Sequence, residues 1–307
     1  MKKVLVATEK PFAPVAIKGI REVTDAAGYE LVLLEKYTSK QELLAAVADV
    51  DAIIIRSDIV DAEVMEAAKN LKIVVRAGAG YDNVDLAAAT ANGVCVMNTP
   101  GQNANAVAEL VFGMLVFMAR GMFNGTAGCE LKDRTIGIHA FGNVGRNVAR
   151  IAKGFGMNVA VYDAFVTKEA VEEAGCKWCE TPAELYSCSD VVSLHLPATA
   201  ETKQSINKAL VSNMPKPAFL INTARKEVIN EAELIEVMNE RPDFKYATDI
   251  APVAADEFAK FEGRYFATPK KMGAQTAEAN INAGIAAAKQ IVAFFEEGCE
   301  RFRVNKK

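Results

Sequence analysis

The segment Phe266–Thr276, FATPKKMGAQT, sets Lys270 and Lys271 between a proline and a small-residue turn. An amine in a closed site can act as a general acid/base, taking a proton when neutral and returning it as ammonium. Free lysine has a pKa of about 10.4, too high for a base at neutral pH. The role therefore requires burial or a neighbouring cation. A second stretch, Ile136–Arg146, reads IGIHAFGNVGR: a strand runs into glycines, and a helix follows from about Asn143. This is a dinucleotide fingerprint with Ala140-Phe141-Gly142-Asn143-Val144-Gly145 in the place of G-x-G-x-x-G. Gly142 would admit a pyrophosphate close to the backbone, Gly145 would let helix and strand pack tightly, and the helix N-terminus offers free N–H groups to the anion. Ala140 stands at the first glycine and fits only a turn with negative φ. Asp163 follows about twenty residues later at the end of the next strand, where an acid binds the adenosine ribose and repels a 2′-phosphate, favouring NAD over NADP.

These residues must be positioned by regular elements. Strands are predicted at 4–8, 29–36, 51–57, 72–78 and 93–98, with helical spacing between them, as in Ile17, Ile20, Val23 and Ala27. A second strand series follows at 135–141, 158–163, 190–197, 218–225, 244–252 and 264–269. Long apolar helices are predicted over 103–122 and 276–297. Strands alternating with helices predict parallel sheets covered on both faces. The fold class is α/β, with two Rossmann-like or flavodoxin-like parallel-sheet domains and a cleft between them, the default place for a small ligand. The first domain comprises 1–98 plus 282–307, discontinuous because the C-terminal helix returns to it, and the second comprises 99–281.

The chain has 307 residues, 51% hydrophobic and 24% charged, with a net charge of −4. The charge balance and the scattered basic residues argue against nucleic acid as a partner. No apolar run reaches the roughly 18 residues of a membrane span, and MKKVLVAT reads as a first strand rather than a signal segment. A cytoplasmic protein is expected. Cys176-Lys-Trp-Cys179 matches C-x-x-C but lacks a second pair for zinc and does not open a helix after a strand, so these cysteines are read as incidental and no metal is expected.

Four further stretches, VVRAGAGYDNVDL (74–86), NTPGQNANAVAEL (98–110), VVSLHLPATAET (191–202) and LINTARKEVINEAEL (220–234), flank the fingerprint in an order that resembles the D-isomer-specific 2-hydroxyacid dehydrogenases over nearly the whole chain. The resemblance is strongest to short, lysine-type members that oxidise 3-phospho-D-glycerate and lack a C-terminal regulatory domain. It implies that Arg225, in Asn222-Thr223-Ala224-Arg225, binds the substrate carboxylate and α-oxygen, although Lys226 replaces the family glycine. The family's general acid/base is a histidine in T-P-H-I-G-A. Counting back from Gly273-Ala274 places Lys271 there, whereas counting forward from Thr268-Pro269 would choose Lys270, and the first count is preferred. The glutamate that partners such a histidine is Ala254 here, leaving Asp256 or Glu257 as substitutes. His139 is read as core. The resemblance further implies a cofactor set of Gly142, Asn143, Val144, Asp163, His195, Leu196, Pro197, Thr202, Thr223, Ala224, Arg225, Asp249 and Ala274, with Asp249 on the nicotinamide carboxamide. It implies a substrate set of Arg56, Ser57, Arg76, Gly78, Ala79, Gly80 and Asn103, in which the arginines hold the phosphate and the Gly78 turn offers N–H groups to the carboxylate.

The expected activity is NAD-dependent oxidation of 3-phospho-D-glycerate to 3-phosphohydroxypyruvate, the entry to serine synthesis, with domain closure around the substrate and a homodimer formed through the cofactor domain. The alternatives are a glyoxylate or hydroxypyruvate reductase, a D-lactate-type dehydrogenase, and an NADH-sensing corepressor.

Overall fold

The structure, a computed structural model, describes residues 1–305. It divides into two compact units, Met1–Asn103 with Gln275–Lys307, and Ala104–Ala274. These joints fall at 103/104 and 274/275, where the sequence reading set them at 98/99 and 281/282.

The first unit runs β1 (Lys3–Thr8), α1 (Pro14–Ala26), β2 (Glu30–Glu35), α2 (Lys40–Val47), β3 (Ala52–Ile55), α3 (Ala62–Ala67), β4 (Ile73–Arg76), α4 (Leu86–Ala91) and β5 (Cys95–Asn98). All its strands are parallel, in the order β2-β1-β3-β4-β5. Both faces are buried, which explains why AIII in β3 is apolar at every position: Ile53 and Ile55 pack in one core, Ala52 and Ile54 in the other. Capping is local. Ser39 and Glu42 form a reciprocal capping box on α2, and Asp61 and Asp85 cap α3 and α4.

The second unit begins with α5 (Ala104–Ala119), then β6 (Thr135–His139), α6 (Asn143–Gly154), β7 (Asn158–Tyr162), α7 (Lys168–Glu173), β8 (Lys177–Trp178), α8 (Pro182–Ser187), β9 (Val191–Leu194), α9 (Lys208–Val211), β10 (Phe219–Asn222), α10 (Glu231–Glu240), β11 (Lys245–Thr248), α11 (Ala255–Ala259) and β12 (Tyr265–Ala267). Its seven parallel strands lie in the order β12-β11-β10-β9-β6-β7-β8. That is the doubly wound order whose direction reverses between β6 and β9, the point where ligands bind in such sheets. The chain then returns to the first unit as α12 (Ala277–Glu297), capped by Thr276 and ended by Gly298 at φ 65°. It packs closely on α1, where a Cβ on Gly19 would meet Ile285 at 2.5 Å and one on Gly284 would meet Phe12 and Ile20 at 3.0 and 3.1 Å.

The two-residue edge strand β8 has no counterpart among the predicted strands. Cys176 and Cys179 flank it, both buried, and burial holds both thiols above their ordinary range, Cys179 to about 12 with Cys188 adding to the rise. Thiols held protonated are poor nucleophiles. Among the described residues no helix is long and apolar enough to cross a membrane.

Candidate active site

Strand register collects the chemistry of the second unit at one edge. Tyr162, His139, Leu194, Asn222, Thr248 and Ala267 form a continuous row of paired residues across β7, β6, β9, β10, β11 and β12. The residues one step further, Asp163, Ala140, His195, Thr223, Asp249 and Thr268, therefore all leave the carboxyl edge of the sheet together.

The fingerprint turn differs from the expectation in one respect. Ala140 has φ 84°, not the negative value expected of a residue with a Cβ. Its surroundings over-determine the conformation. The Ala140 N–H donates to Tyr162 O, the Phe141 N–H donates to Asp163 Oδ2 at 2.6 Å, and a Cβ on Gly145 would come within 2.3 Å of Ala140 O. Helix α6 thus presses against the turn through Gly145. A left-handed alanine costs about 1–2 kcal/mol, partly offset because alanine orders more cheaply than glycine. Ala140→Gly is therefore expected to stabilise the protein by up to about 1 kcal/mol, read as a higher denaturation midpoint with an unchanged m-value.

Gly142 supplies a test of cofactor fit. Its φ of −76° is open to any residue, and a Cβ there would meet nothing within 4 Å. Neither backbone strain nor the protein's own packing calls for glycine; close approach of an external group does. It stands at the N-cap of α6 without a side-chain cap, so the first amides of the helix, from Asn143 and Val144 onward, remain available to an anion. Asp163 accepts from the Phe141, Phe165 and Val166 amides, fixing the turn and the carboxylate together. These residues fit a dinucleotide.

At β9, His195 lies between two hydroxyls, with Nε2 2.9 Å from Ser193 Oγ and Nδ1 3.4 Å from Thr223 Oγ1. His139 is buried in edge-on contact with Tyr162 and Tyr186. Burial lowers both imidazoles, His139 to about 4 and His195 to about 3, and the mutual repulsion adds to His195. Both are neutral when folded at pH 7. As pH falls through the ordinary imidazole value, the unfolded chain takes up protons that the folded state refuses. Stability is then expected to fall between about pH 6.5 and 4, by at most about 1.4 kcal/mol per pH unit for each histidine, less for the partly exposed His195. Denaturant titrations across this range check it, and His139→Gln should remove part of the slope.

Leu196 is buried, Pro197 exposed and Thr202 half-buried, and Thr202 Oγ1 accepts from the Thr199 amide to close their loop. The turn after β10 is built by Asn222, fully buried: its Oδ1 accepts from Ala224 N and its Nδ2 donates to Arg225 O. Lys226, at the family glycine position, opens a short 3-10 turn. Arg225 Nη1 donates to Ala224 O, and among the described residues the guanidinium makes no ion pair.

Lys270 and Lys271 are both exposed, so the burial invoked for the lysine is not present in the structure. Their turn is anchored by the buried Asp249, whose carboxylate accepts from the Met272 and Gly273 amides at 2.7 Å and from the Thr268 hydroxyl at 2.9 Å. Glu257 pairs with Lys260 at 2.7 Å and Asp256 is exposed on α11. Ala254 N and Val253 N donate to Glu231, which holds that loop.

In the first unit the order of strands reverses between β1 and β3, and Arg56 stands immediately after β3. Register pairs Ile55 with Arg76 and Arg76 with Asn98, which brings the two arginines to neighbouring positions. Arg76 Nε donates to Arg56 O. Arg56 Nη1 donates to Lys10 O and Pro11 O, and its Nη2 donates to Asn280 Oδ1 at 2.7 Å. Asp58, buried, accepts from the Glu9 and Arg56 amides and from the Tyr37 hydroxyl, bracing the strand ends. Burial lowers the pKa of both arginines, and Arg56 adds to the effect on Arg76. Among the described residues neither is in an ion pair. Asp58 acts on Arg56 and Asp82 on Arg76 in the opposite direction, raising each pKa without making a salt bridge. Gly78, at φ 152°, leaves room for Arg76: a Cβ would lie 1.6 Å from Nη1. Ala79 and Ser57 are exposed, Gly80 and Asn103 half-buried. Asn280 and Asp58 were not among the expected site residues, because nothing local marks a contact that spans 224 positions or a carboxylate that accepts from backbone amides.

Fold and site together define a doubly wound dinucleotide-binding protein with a second parallel-sheet unit. Residues 111–268 match the description "D-isomer specific 2-hydroxyacid dehydrogenase, NAD binding domain", and the chain belongs to that family. It is 33% identical to D-3-phosphoglycerate dehydrogenase of Methanocaldococcus jannaschii, covering 95% of this chain and 57% of that protein. It is 34% identical to hydroxypyruvate reductase of Thermotoga maritima over 85% of this chain and 90% of that one. Among solved structures, the NAD+-bound 3-phosphoglycerate dehydrogenase of Entamoeba histolytica shares 48% identity and a TM-score of 0.85, with 99% of each chain covered. The chain spans little more than half the length of the archaeal phosphoglycerate dehydrogenases that it matches.

Proposed function

We propose that the protein oxidises 3-phospho-D-glycerate to 3-phosphohydroxypyruvate, the first step toward serine, in the cytoplasm. The observation that carries the phosphate is the Arg56–Arg76 pair: two half-buried guanidiniums at neighbouring strand ends, neither in an ion pair among the described residues, with Arg56 lowering the pKa of Arg76. A phosphate offsets both charges and can accept from several guanidinium N–H groups at once. The unpaired Arg225 takes the substrate carboxylate and orients the α-carbon. Lys271 Nζ removes the hydroxyl proton during oxidation and returns it in reduction. Because this lysine is exposed in the structure, its desolvation comes with the bound substrate rather than from the fold itself. NAD, when bound, supplies the hydride acceptor. Neutral His195 stays uncharged beside that site and adds no positive charge of its own.

The identity with the Entamoeba histolytica enzyme supports this reading, and the similarity to hydroxypyruvate reductase of Thermotoga maritima defines its rival. Assembly with a second copy through the second unit belongs to the same reading. NADH formation across a panel of 2-hydroxy acids tests the function. The largest kcat/KM should belong to 3-phospho-D-glycerate, and a larger one for D-lactate or glycolate overturns the proposal.

A further inference from the structure

We propose that Lys10 is a third cation of the phosphate site in the first unit and that it strengthens the preference for a phosphorylated acid. The inference rests on the proposed binding of phosphate by Arg56 and Arg76. The strand order of this unit reverses between β1 and β3, and ligands bind beyond the carboxyl ends of strands at such a reversal. Register pairs Ala7 with Ile55, which sets Thr8 beside Arg56, and Lys10 follows two residues beyond Thr8. The connecting loop is held in place. The Glu9 N–H donates to Asp58 Oδ1 at 2.7 Å, and Arg56 Nη1 donates to Lys10 O at 3.1 Å and to Pro11 O at 3.3 Å. The Phe12 ring, 5% exposed, has its centroid 5.2 Å from the same guanidinium.

These contacts use the backbone of residues 9–11 and the ring of Phe12. None uses the Lys10 side chain, which is exposed and makes no ion pair or hydrogen bond among the described residues. The nearby acids do not capture it. Asp58 accepts from the Glu9 and Arg56 amides and from the Tyr37 hydroxyl, and Glu9 is in no ion pair among the described residues. The fold therefore places the root of a lysine against the Arg56 guanidinium and leaves its ammonium uncommitted. A flexible four-carbon stem lets that ammonium move to the anion that the arginines hold. A phosphate monoester carries a charge of about −1.5 to −2 at pH 7 and three strong acceptor oxygens. Arginine forks grip such a group with fixed geometry, whereas lysine meets it as a point charge, so a lysine adds to the pair without competing for the same alignment.

The measurement is the ratio of kcat/KM for reduction of 3-phosphohydroxypyruvate to that for hydroxypyruvate. Lys10→Met keeps the carbonyl that Arg56 uses and much of the apolar stem, and removes the charge. The ratio should fall at least about 5-fold, mainly through a higher KM for the phosphorylated acid, as for loss of a weak charge-assisted contact. Lys10→Arg should restore most of it. Lys18→Met on α1, where Lys18 meets Glu22 at 3.9 Å, should leave the ratio within about 2-fold. A second measurement needs no variant: acetylation of the lysines of the unmodified protein by an acid anhydride, read by mass spectrometry. Saturating 3-phospho-D-glycerate should slow labelling of Lys10 at least about 3-fold relative to the same concentration of D-glycerate, with Lys18 labelled equally in both. A smaller fall of the ratio in Lys10→Met, or equal labelling of Lys10 with the two acids, overturns the inference. The two failures are distinct. An unmodified protein without preference for the phosphorylated acid fails the proposed function, whereas a preference that survives Lys10→Met fails this inference alone.

Discussion

Lys271→Ala is expected to lower kcat about 10²- to 10⁴-fold, the usual worth of a positioned general acid/base, with KM for the substrate changed little. Lys270→Ala is expected to retain near-normal turnover. The two lysines are adjacent, both exposed and of the same charge, so a bulk electrostatic role would make the two variants behave alike. What separates them is the turn. Lys270 O lies within reach of the Thr268 hydroxyl on the incoming side, whereas Lys271 immediately precedes the two amides held by Asp249. If Lys270→Ala abolished turnover while Lys271→Ala did not, the assignment would move by one residue. Exogenous small amines offer a further check. Partial recovery of Lys271→Ala by an amine, with recovery following the amine's basicity, would identify proton transfer as the lost step.

Arg56→Ala should lower kcat/KM for 3-phosphohydroxypyruvate reduction about 10²- to 10³-fold, the loss of a charge-assisted contact to a phosphate. Reduction of hydroxypyruvate, which has no phosphate, should change less than about 5-fold. The comparison carries its own control. Arg56 also bonds Lys10 O, Pro11 O and Asn280 and lies over the Phe12 ring, so its removal loosens the first unit. General loosening would depress both substrates, whereas loss of a phosphate site depresses one. Among the described residues the guanidinium makes three hydrogen bonds to the protein, out of the five donors an arginine carries, which leaves capacity for an anion.

Much of this was legible in the sequence because it follows from local rules. The continuous apolar run AIII in β3 announces a strand buried on both faces, and parallel sheets follow from the alternation with helices. The strands of the second series mark where Asp163, His195, Thr223 and Asp249 leave the sheet, since a parallel sheet carries functional side chains at its carboxyl edge. The failures are tertiary. The positive φ of Ala140 comes from a turn pinned by Tyr162, Asp163 and Gly145, which overrides the preference of alanine. Strand β8 is two residues long and exists because β7 offers it an edge, so no period could reveal it. Asn280 reaches Arg56 from α12, far along the chain. Asp249 reads as one more acid after a strand, and only its three partners show that it grips the lysine turn.

The central claim is that the paired arginines of the first unit exist to receive a phosphate. It is tested most directly by comparing NAD-dependent oxidation of 3-phospho-D-glycerate and D-glycerate by the unmodified protein, because these substrates differ only in that group. The account predicts kcat/KM at least about 100-fold higher for the phosphorylated acid, as expected for a charge-assisted contact with two guanidiniums. Equal values, or a preference for D-glycerate, would contradict it.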